Sequence, residues 1–235
     1  MTRGIVFPAM LVVYTAITGL YDDLRAVECP PDPYGRPVRF VAFAPERLGG
    51  RKDGWERRPL PLEIEDDARL TARFVKINSH LLFPEAQFVL WHDGNHWLKG
   101  NPWELVDRYL TAGRAKSRDP DIAMFEHPSS RTLTDELQAC VMLHKDDTAV
   151  MTDQVGRYIA EGCPQSPVFE TGILLRRHND RVRAFNHIWW QQVFSGSVRD
   201  QLSVVYAGWK ASLLITVLPG KRTESAWVGV AGHGG

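Results

Sequence analysis

The segment Ala86-Gln-Phe-Val-Leu-Trp-His-Asp-Gly-Asn-His-Trp97 runs an apolar, β-prone stretch straight into Asp93-Gly94-Asn95. Gly and Asn are poor residues for a central strand, so the acid sits where the strand stops. In open α/β sheets, ligands bind beyond the carboxyl ends of strands. A carboxylate followed two residues later by a second oxygen donor suits a hard divalent cation that carries phosphate oxygens. Asp-Gly and Gly-Asn are also ordinary turn pairs, so the triplet by itself is more often a strand-to-loop turn.

Other residues could join that chemistry. Arg73 and Lys76 lie one helical turn apart with His80 nearby, a cationic face suited to a diphosphate or simply a solvated one. Thr15, Thr18 and Tyr21, at and after the end of the first apolar run, could hold a nucleotide base and ribose. Gly172, inside Phe169-Glu-Thr-Gly-Ile-Leu-Leu175, permits close approach of a ligand to the backbone, or marks a bulge. Arg199-Asp200-Gln201 opens an amphipathic stretch. Asp200 there is either a first-turn acid favoured by the helix dipole or, with Gln201, a partner for sugar hydroxyls. His92 and His96 mimic the spacing of the zinc helix His-Glu-x-x-His. Asp replaces the general-base Glu, however, and Gly94-Asn95 disfavours a helix, so a zinc-dependent hydrolase is the lesser alternative.

The elements that must position these residues follow from periodicity. Strands are expected at 10–16, 38–44, 88–92, 122–125, 168–176 and 213–218. Helices are expected at 67–83, with Leu70, Phe74, Ile77 and Leu81 inward, and at 103–112, 134–145, 147–161, 186–194 and 197–209. Residues 45–61 are rich in Pro, Gly and Arg and read as a surface loop; 229–235 read as a flexible tail or closing loop. Strands alternate with helices throughout, so the fold class is α/β: a single domain over 1–235, with a mixed sheet flanked by helices.

The chain has 235 residues and balances 28 Lys and Arg against 28 Asp and Glu. Zero net charge gives no global field for nonspecific nucleic-acid binding. Three scattered cysteines, Cys29, Cys140 and Cys163, form no CxxC pair and imply reduced thiols in a cytoplasmic setting. No run reaches membrane-spanning length, and Met10 to Thr15 lacks a signal-peptide pattern.

Taken in order, several stretches resemble a known family. They are Val12 to Leu24, Ala72 to Pro84, Trp91 to Asn95, Glu170 to His178, and Trp189-Trp190 leading to Arg199 to Ser203. The family is a glycosyltransferase-like domain, formerly of unknown function, found in plant Golgi proteins linked to mucilage polysaccharides and in bacterial and viral proteins. More distantly, the order is similar to glycogenin-like and bacterial galactosyltransferase-like retaining enzymes of the GT-A fold, a Rossmann-like nucleotide-binding sheet. The resemblance makes Asp93-Gly94-Asn95 a variant Asp-X-Asp element and implies transfer of a hexose or pentose from a nucleotide-sugar donor to a hydroxyl acceptor. It implies Thr15, Thr18 and Tyr21 near the nucleotide and Asp93 on a manganese or magnesium ion, with Asn95 as a neutral second donor. Arg73 and Lys76 would approach the diphosphate. Glu170 to Gly172 and Asp200-Gln201 would approach the donor sugar, with Arg199 beside them. For a third metal ligand, often a late His in the wider fold, His178 and His233 are the candidates. The acceptor stays open between polysaccharide, glycolipid, protein and a hydroxymethylated DNA base, the last because compact viral glycosyltransferases can decorate such bases; the Arg-rich loop Arg47 to Arg58 could touch phosphates or is a solvated loop. A noncatalytic carbohydrate-binding module is the other alternative.

Overall fold

The computed structural model describes residues 9–18, 22, 24–45, 54–61, 64, 67–111 and 119–231. Six residues, Leu11–Ala16, form β1, and every one is buried, as expected of a strand covered on both faces. It lies between β2 (Val38–Phe43) and β4 (Phe88–His92), parallel to both. A short edge strand, β3 (Glu56–Arg58), adds parallel to β2, inside the stretch read as loop from its composition. The sheet continues with β7 (Phe169–Arg177), antiparallel to both β4 and β6 (Ile122–Glu126), and closes with β8 (Ile215–Leu218), parallel to β6. The order β3-β2-β1-β4-β7-β6-β8 is thus a mixed seven-stranded sheet.

Successive strand residues face opposite sides, and each side has its own core. Val12, Tyr14, Val41, Trp91 and Leu174 pack beneath α1 (Ala68–Ile77), α4 (Leu133–Met142), α5 (Thr148–Ala160), α6 (Asp180–Ser195) and α7 (Asp200–Lys210). Leu11, Val13, Leu90, Ile173 and Leu175 pack against Trp103, Leu105, Val106 and Leu110, from α3 (Pro102–Val106) and the π-type turn Asp107–Thr111 that follows it. Asn101 caps α3 by accepting from Trp103 N, with Pro102 at the first position.

The expected helix 67–83 is two pieces. Asp67 caps α1, but Asn78 leaves the helical region (φ −90°, ψ 38°) and α2 (Ser79–Leu82) starts on a new axis. The break turns Leu81 outward, to 61% exposure, instead of inward. It also removes His80 from the face of Arg73 and Lys76, and its ring bonds Asn186 on α6. The tail is not loose through its described part: β9 (Val228–Val230) pairs antiparallel with β5 (His96–Leu98). Cys29, Cys140 and Cys163 are free thiols. Among the described residues, no helix is long and apolar enough to cross a membrane.

Candidate active site

A cleft of about 630 Å³ opens at the carboxyl ends of β1 and β4 and the amino end of β7, where ligands enter sheets of this kind. Its wall includes Ala16, Thr18, Asp93 to Asn95, Glu170 to Gly172 and Arg199 to Gln201. Arg69, Ala72, Arg73 and Lys76 of α1 complete one side, and Leu143 to Lys145, at the corner between α4 and α5, another. Residues 69, 72, 73 and 76 share one face because a helix repeats every 3.6 residues.

At the cleft floor Lys76 is buried to 1% exposure. Its Nζ donates to Asp200 Oδ2 at 2.7 Å, to Thr171 Oγ1 at 3.0 Å and to Asp93 Oδ1 at 3.3 Å. Thr171 in turn donates to Asp200 Oδ2 at 2.9 Å. Arg73 Nε lies 3.3 Å from Asp200 Oδ1, and Trp189 Nε1 donates to the Asp200 main-chain oxygen at 3.0 Å. Burial pushes the Asp200 carboxyl up, but Arg73, Lys76 and Arg199 outweigh it and hold the group well below the usual carboxylate range. Asp200 is therefore a fixed, ionised carboxylate.

Arg73 and Lys76 thus both reach the cleft as expected. Each is paired with Asp200, and Lys76 lies the deeper of the two. The charge open to a ligand comes from the balance around it. Among the described residues, six cations (Arg69, Arg73, Lys76, Lys145, Arg199, Arg222) line the cleft against four carboxylates (Asp22, Asp93, Glu170, Asp200).

Asp93 follows β4, and its main-chain N–H donates to Gly172 O at 3.0 Å. Its Oδ1 also accepts from Trp91 Nε1 at 2.9 Å, leaving Oδ2 toward β7. Burial raises its pKa, and Lys76, His96 and Arg73 together hold it below the ordinary value. The side-chain nitrogen of Asn95 donates to Ala231 O at 3.1 Å, which leaves its carbonyl oxygen for a ligand. At Gly172 the fit is tight: a Cβ would stand 3.2 Å from His96 Nε2 and 3.3 Å from Asp93 Oδ2, so these neighbours would have to give by a few tenths of an ångström. The close approach read from this glycine is that of the protein's own acid and histidine.

Glu170 faces the cleft, gripped by Arg222 through two bonds of 3.0 and 3.2 Å. Arg222 also donates to His96 Nε2. Arg222 has no motif around it, and only the path of the chain after β8 brings it here. Thr171, the middle residue of Glu170 to Gly172, lines the cleft and bonds both Lys76 and Asp200. Arg199 donates to Gln201 Oε1 at 2.9 Å, while its Nε is buried without a partner.

Several expected residues lie elsewhere. Thr15 is fully buried and does not line the cleft, because strand alternation sends it to the sheet face opposite Ala16. Tyr21 and His233 lie outside the described residues. His178 is six residues beyond Gly172 along β7, about 20 Å away at strand rise, and its Nε2 meets Ser79 Oγ at 3.1 Å. It cannot share an ion with Asp93. His92 and His96 sit on two strands either side of a turn rather than on one helix, which removes the geometry a zinc hydrolase requires. Of the tryptophans flanking the acidic turn, Trp103 is a core residue, and Trp91, also buried, forms part of the cleft wall.

Among the described residues, no group of three or more His, Cys, Asp or Glu side chains could together hold a metal ion. Asp93 and Asn95 still fit a hard cation that takes its remaining ligands from phosphate oxygens and water.

Comparison with known proteins agrees with this architecture. The solved structure of the bifunctional glycosyltransferase WbbM superposes with a TM-score of 0.50 at 12% identity, over 91% of this chain and 39% of that one. Mouse xyloside xylosyltransferase 1 gives a TM-score of 0.47 at 12% identity, over 89% of this chain and 84% of that one. The mixed sheet is that of the GT-A glycosyltransferases. In sequence, the chain is 26% identical over 214 residues to the probable hexosyltransferase MUCI70 of Arabidopsis thaliana, covering 82% of this chain and 36% of that protein. It thus spans about a third of the relative it matches. The description TOD1/MUCI70, glycosyltransferase-like domain, matches residues 62–217, the stretch from just before α1 to the end of the sheet, and the chain belongs to that family.

Proposed function

We propose that this domain transfers a sugar from a nucleotide-sugar donor to a hydroxyl acceptor. The observation that carries the reading is Asp200, a buried carboxylate kept ionised at the cleft floor by Arg73 and Lys76. Glycosyl transfer develops positive charge at the anomeric carbon and negative charge on the departing diphosphate. A fixed carboxylate answers the first, and it need not reorganise when the charge appears. The cationic excess of the cleft wall answers the second, with Arg199 and Arg222 placed as donors to phosphate oxygens. Thr18, at the end of β1, stands where the nucleotide would enter. Gln201, beside Asp200, offers a hydroxyl partner for the donor sugar or the acceptor. Asp93 and Asn95 would hold a manganese or magnesium ion, which supplies Lewis-acid charge to the leaving diphosphate when bound.

The donor is a hexose or pentose nucleotide, and the acceptor is a glycan. The name of the Arabidopsis relative favours a hexose.

Isothermal titration of the chain against a panel of nucleotide sugars and nucleoside diphosphates, with and without manganese, tests the reading. Micromolar binding of one nucleotide, enhanced by manganese and lost in Asp93→Ala, is expected, with release of the nucleoside diphosphate on incubation with acceptor glycans. Absence of binding across the panel overturns the transferase reading. Binding that survives Asp93→Ala overturns the metal assignment alone. Affinity for sugars without donor turnover marks a carbohydrate-binding module instead.

A further inference from the structure

Asp200 is the first residue of α7, yet the preceding residue, Arg199, makes no side-chain cap for that helix. The end is held from outside. Arg199 N donates to Ser197 Oγ at 3.1 Å, and Ser197 Oγ donates to Asp146 Oδ2 at 2.7 Å. The same carboxylate oxygen accepts from Val198 N at 2.9 Å. Gln154 Oε1 accepts from Ser197 N at 2.9 Å, and Val198 O accepts from Arg73 Nε at 3.3 Å. Gly196 precedes this stretch because nothing larger fits: a Cβ would meet Gln154 Nε2 at 2.7 Å and Gln192 O at 2.8 Å. The link from α6 to α7 is therefore clamped onto the corner between α4 and α5.

We propose that Asp146 is a positioning residue for Asp200. It touches nothing at the reacting centre, and it sets where the first turn of α7 begins. Asp146 is anchored in turn, since its Oδ1 accepts from Asp147 N at 3.0 Å and Asp147 caps α5. Its chain neighbours Leu143, His144 and Lys145 line the cleft. A ligand pressing on that corner is one residue away from the group that fixes Asp200. The inference rests on the transferase reading for its catalytic consequence and on hydrogen-bond geometry for its structural one, so the two can fail separately.

The test compares Asp146→Ala and Asp146→Asn in the full chain. Two readouts are used: steady-state transfer, and the indole N–H resonance of Trp189, assigned by comparison with Trp189→Phe. That indole reports Asp200 directly, because it donates to the Asp200 main-chain oxygen. Asp146→Ala is expected to move the resonance and speed its exchange with solvent. It should lower kcat by about tenfold or more while donor KM stays within about twofold, the size expected for lost bonds to a charged acceptor. Asp146→Asn keeps an oxygen for Ser197 and Val198, and should restore the resonance and bring kcat to within about threefold of wild type. A wild-type resonance and kcat in Asp146→Ala overturn the proposal, and so does an Asp146→Asn as deficient as Asp146→Ala. If wild type transfers no sugar, the transferase reading falls, and the resonance still decides whether Asp146 holds Asp200.

Discussion

Lys76 is the residue on which the cleft floor depends. Its ammonium is out of water and faces two carboxylates and a hydroxyl, so its desolvation is offset only while those partners stay. Lys76→Met removes one partner of a buried ion pair and leaves Asp200 short of a cation. The expected cost is about 3–5 kcal/mol in urea denaturation at neutral pH, with transfer lost by about a hundredfold. Lys76→Met combined with Asp200→Asn removes both charges, and should be more stable than the two single losses summed, by about 1 kcal/mol or more. Strict additivity would show that the two groups do not interact as the 2.7 Å contact implies. The sign of the pH dependence is fixed by the same contact. A folded-state pKa depressed below the unfolded value gives stability that is complete above about pH 4 and fades as pH falls through the carboxylate range. Asp200→Asn should flatten that acid limb.

At the scale of elements, β7 is the spine of the site. Its amino end presents Glu170, Thr171 and Gly172 to the cleft. Near its other end Arg176, fully buried, donates to Lys76 O and Ile77 O at the carboxyl end of α1, and to Tyr14 OH. One strand thus fixes both the main chain of Lys76 and the tip of its side chain. Gly172→Ala tests the front of the strand. The added carbon forces Asp93 Oδ2 and His96 to shift by a few tenths of an ångström. Overpacking of that kind costs about 1–3 kcal/mol, and manganese-dependent nucleotide binding should weaken by about tenfold. Unchanged binding would mean that the Oδ2 side of Asp93 is not the side that meets the ligand. The longer strands were legible because a strand buried on both faces reads as a nearly unbroken apolar run, as Leu11 to Ala16 does, while the three-residue β3, β5 and β9 were not; the acidic turn was legible because Gly94-Asn95 ends such a run. The break at Asn78 was not, since Leu81 keeps helical spacing with Ile77 and only the capping geometry interrupts it. Arg222 was not either, because it arrives through a turn between β8 and β9 with no local pattern. The partner of Lys76 was not legible for a related reason. Sequence shows a cation on a helix face, but the carboxylate that pairs with it lies 124 residues away by number, and only the packing of α1, α7 and β7 around the cleft brings the two together.

Across the whole molecule, partly buried His80 and His178 and buried His96 help set how the protein answers acid, beside His92, which burial also pushes down. Burial pushes His80 down to about 4, and Arg176 and Arg183 add to it. Burial likewise takes His178 down to about 3, with Arg176 adding to it. His96 is also driven by burial to about 3, with Asp93 opposing and Arg222 reinforcing. Each ring is neutral in the folded state at a pH where the unfolded chain, with an ordinary value near 6.5, binds a proton. The unfolded state therefore takes up more protons, and stability must rise with pH between about 4 and 6.5 and fall on acidification. The slope is about 1.4 kcal/mol per pH unit for each histidine that is fully charged unfolded and neutral folded. Near pH 5 all three contribute, while the ordinary carboxylates have hardly begun to titrate, so the onset of acid destabilisation should lie near pH 6.5 rather than near pH 4. Urea denaturation at half-unit steps from pH 7.5 to 4.5 measures the slope directly. His178→Asn, remote from the cleft, should remove about one proton from it. An unchanged slope in that variant would show that His178 is charged in the folded protein, against its burial beside Arg176. Because His96 stays neutral in the folded protein down to about pH 3, its bond with Arg222, and the grip of Arg222 on Glu170, should persist through this range while stability falls.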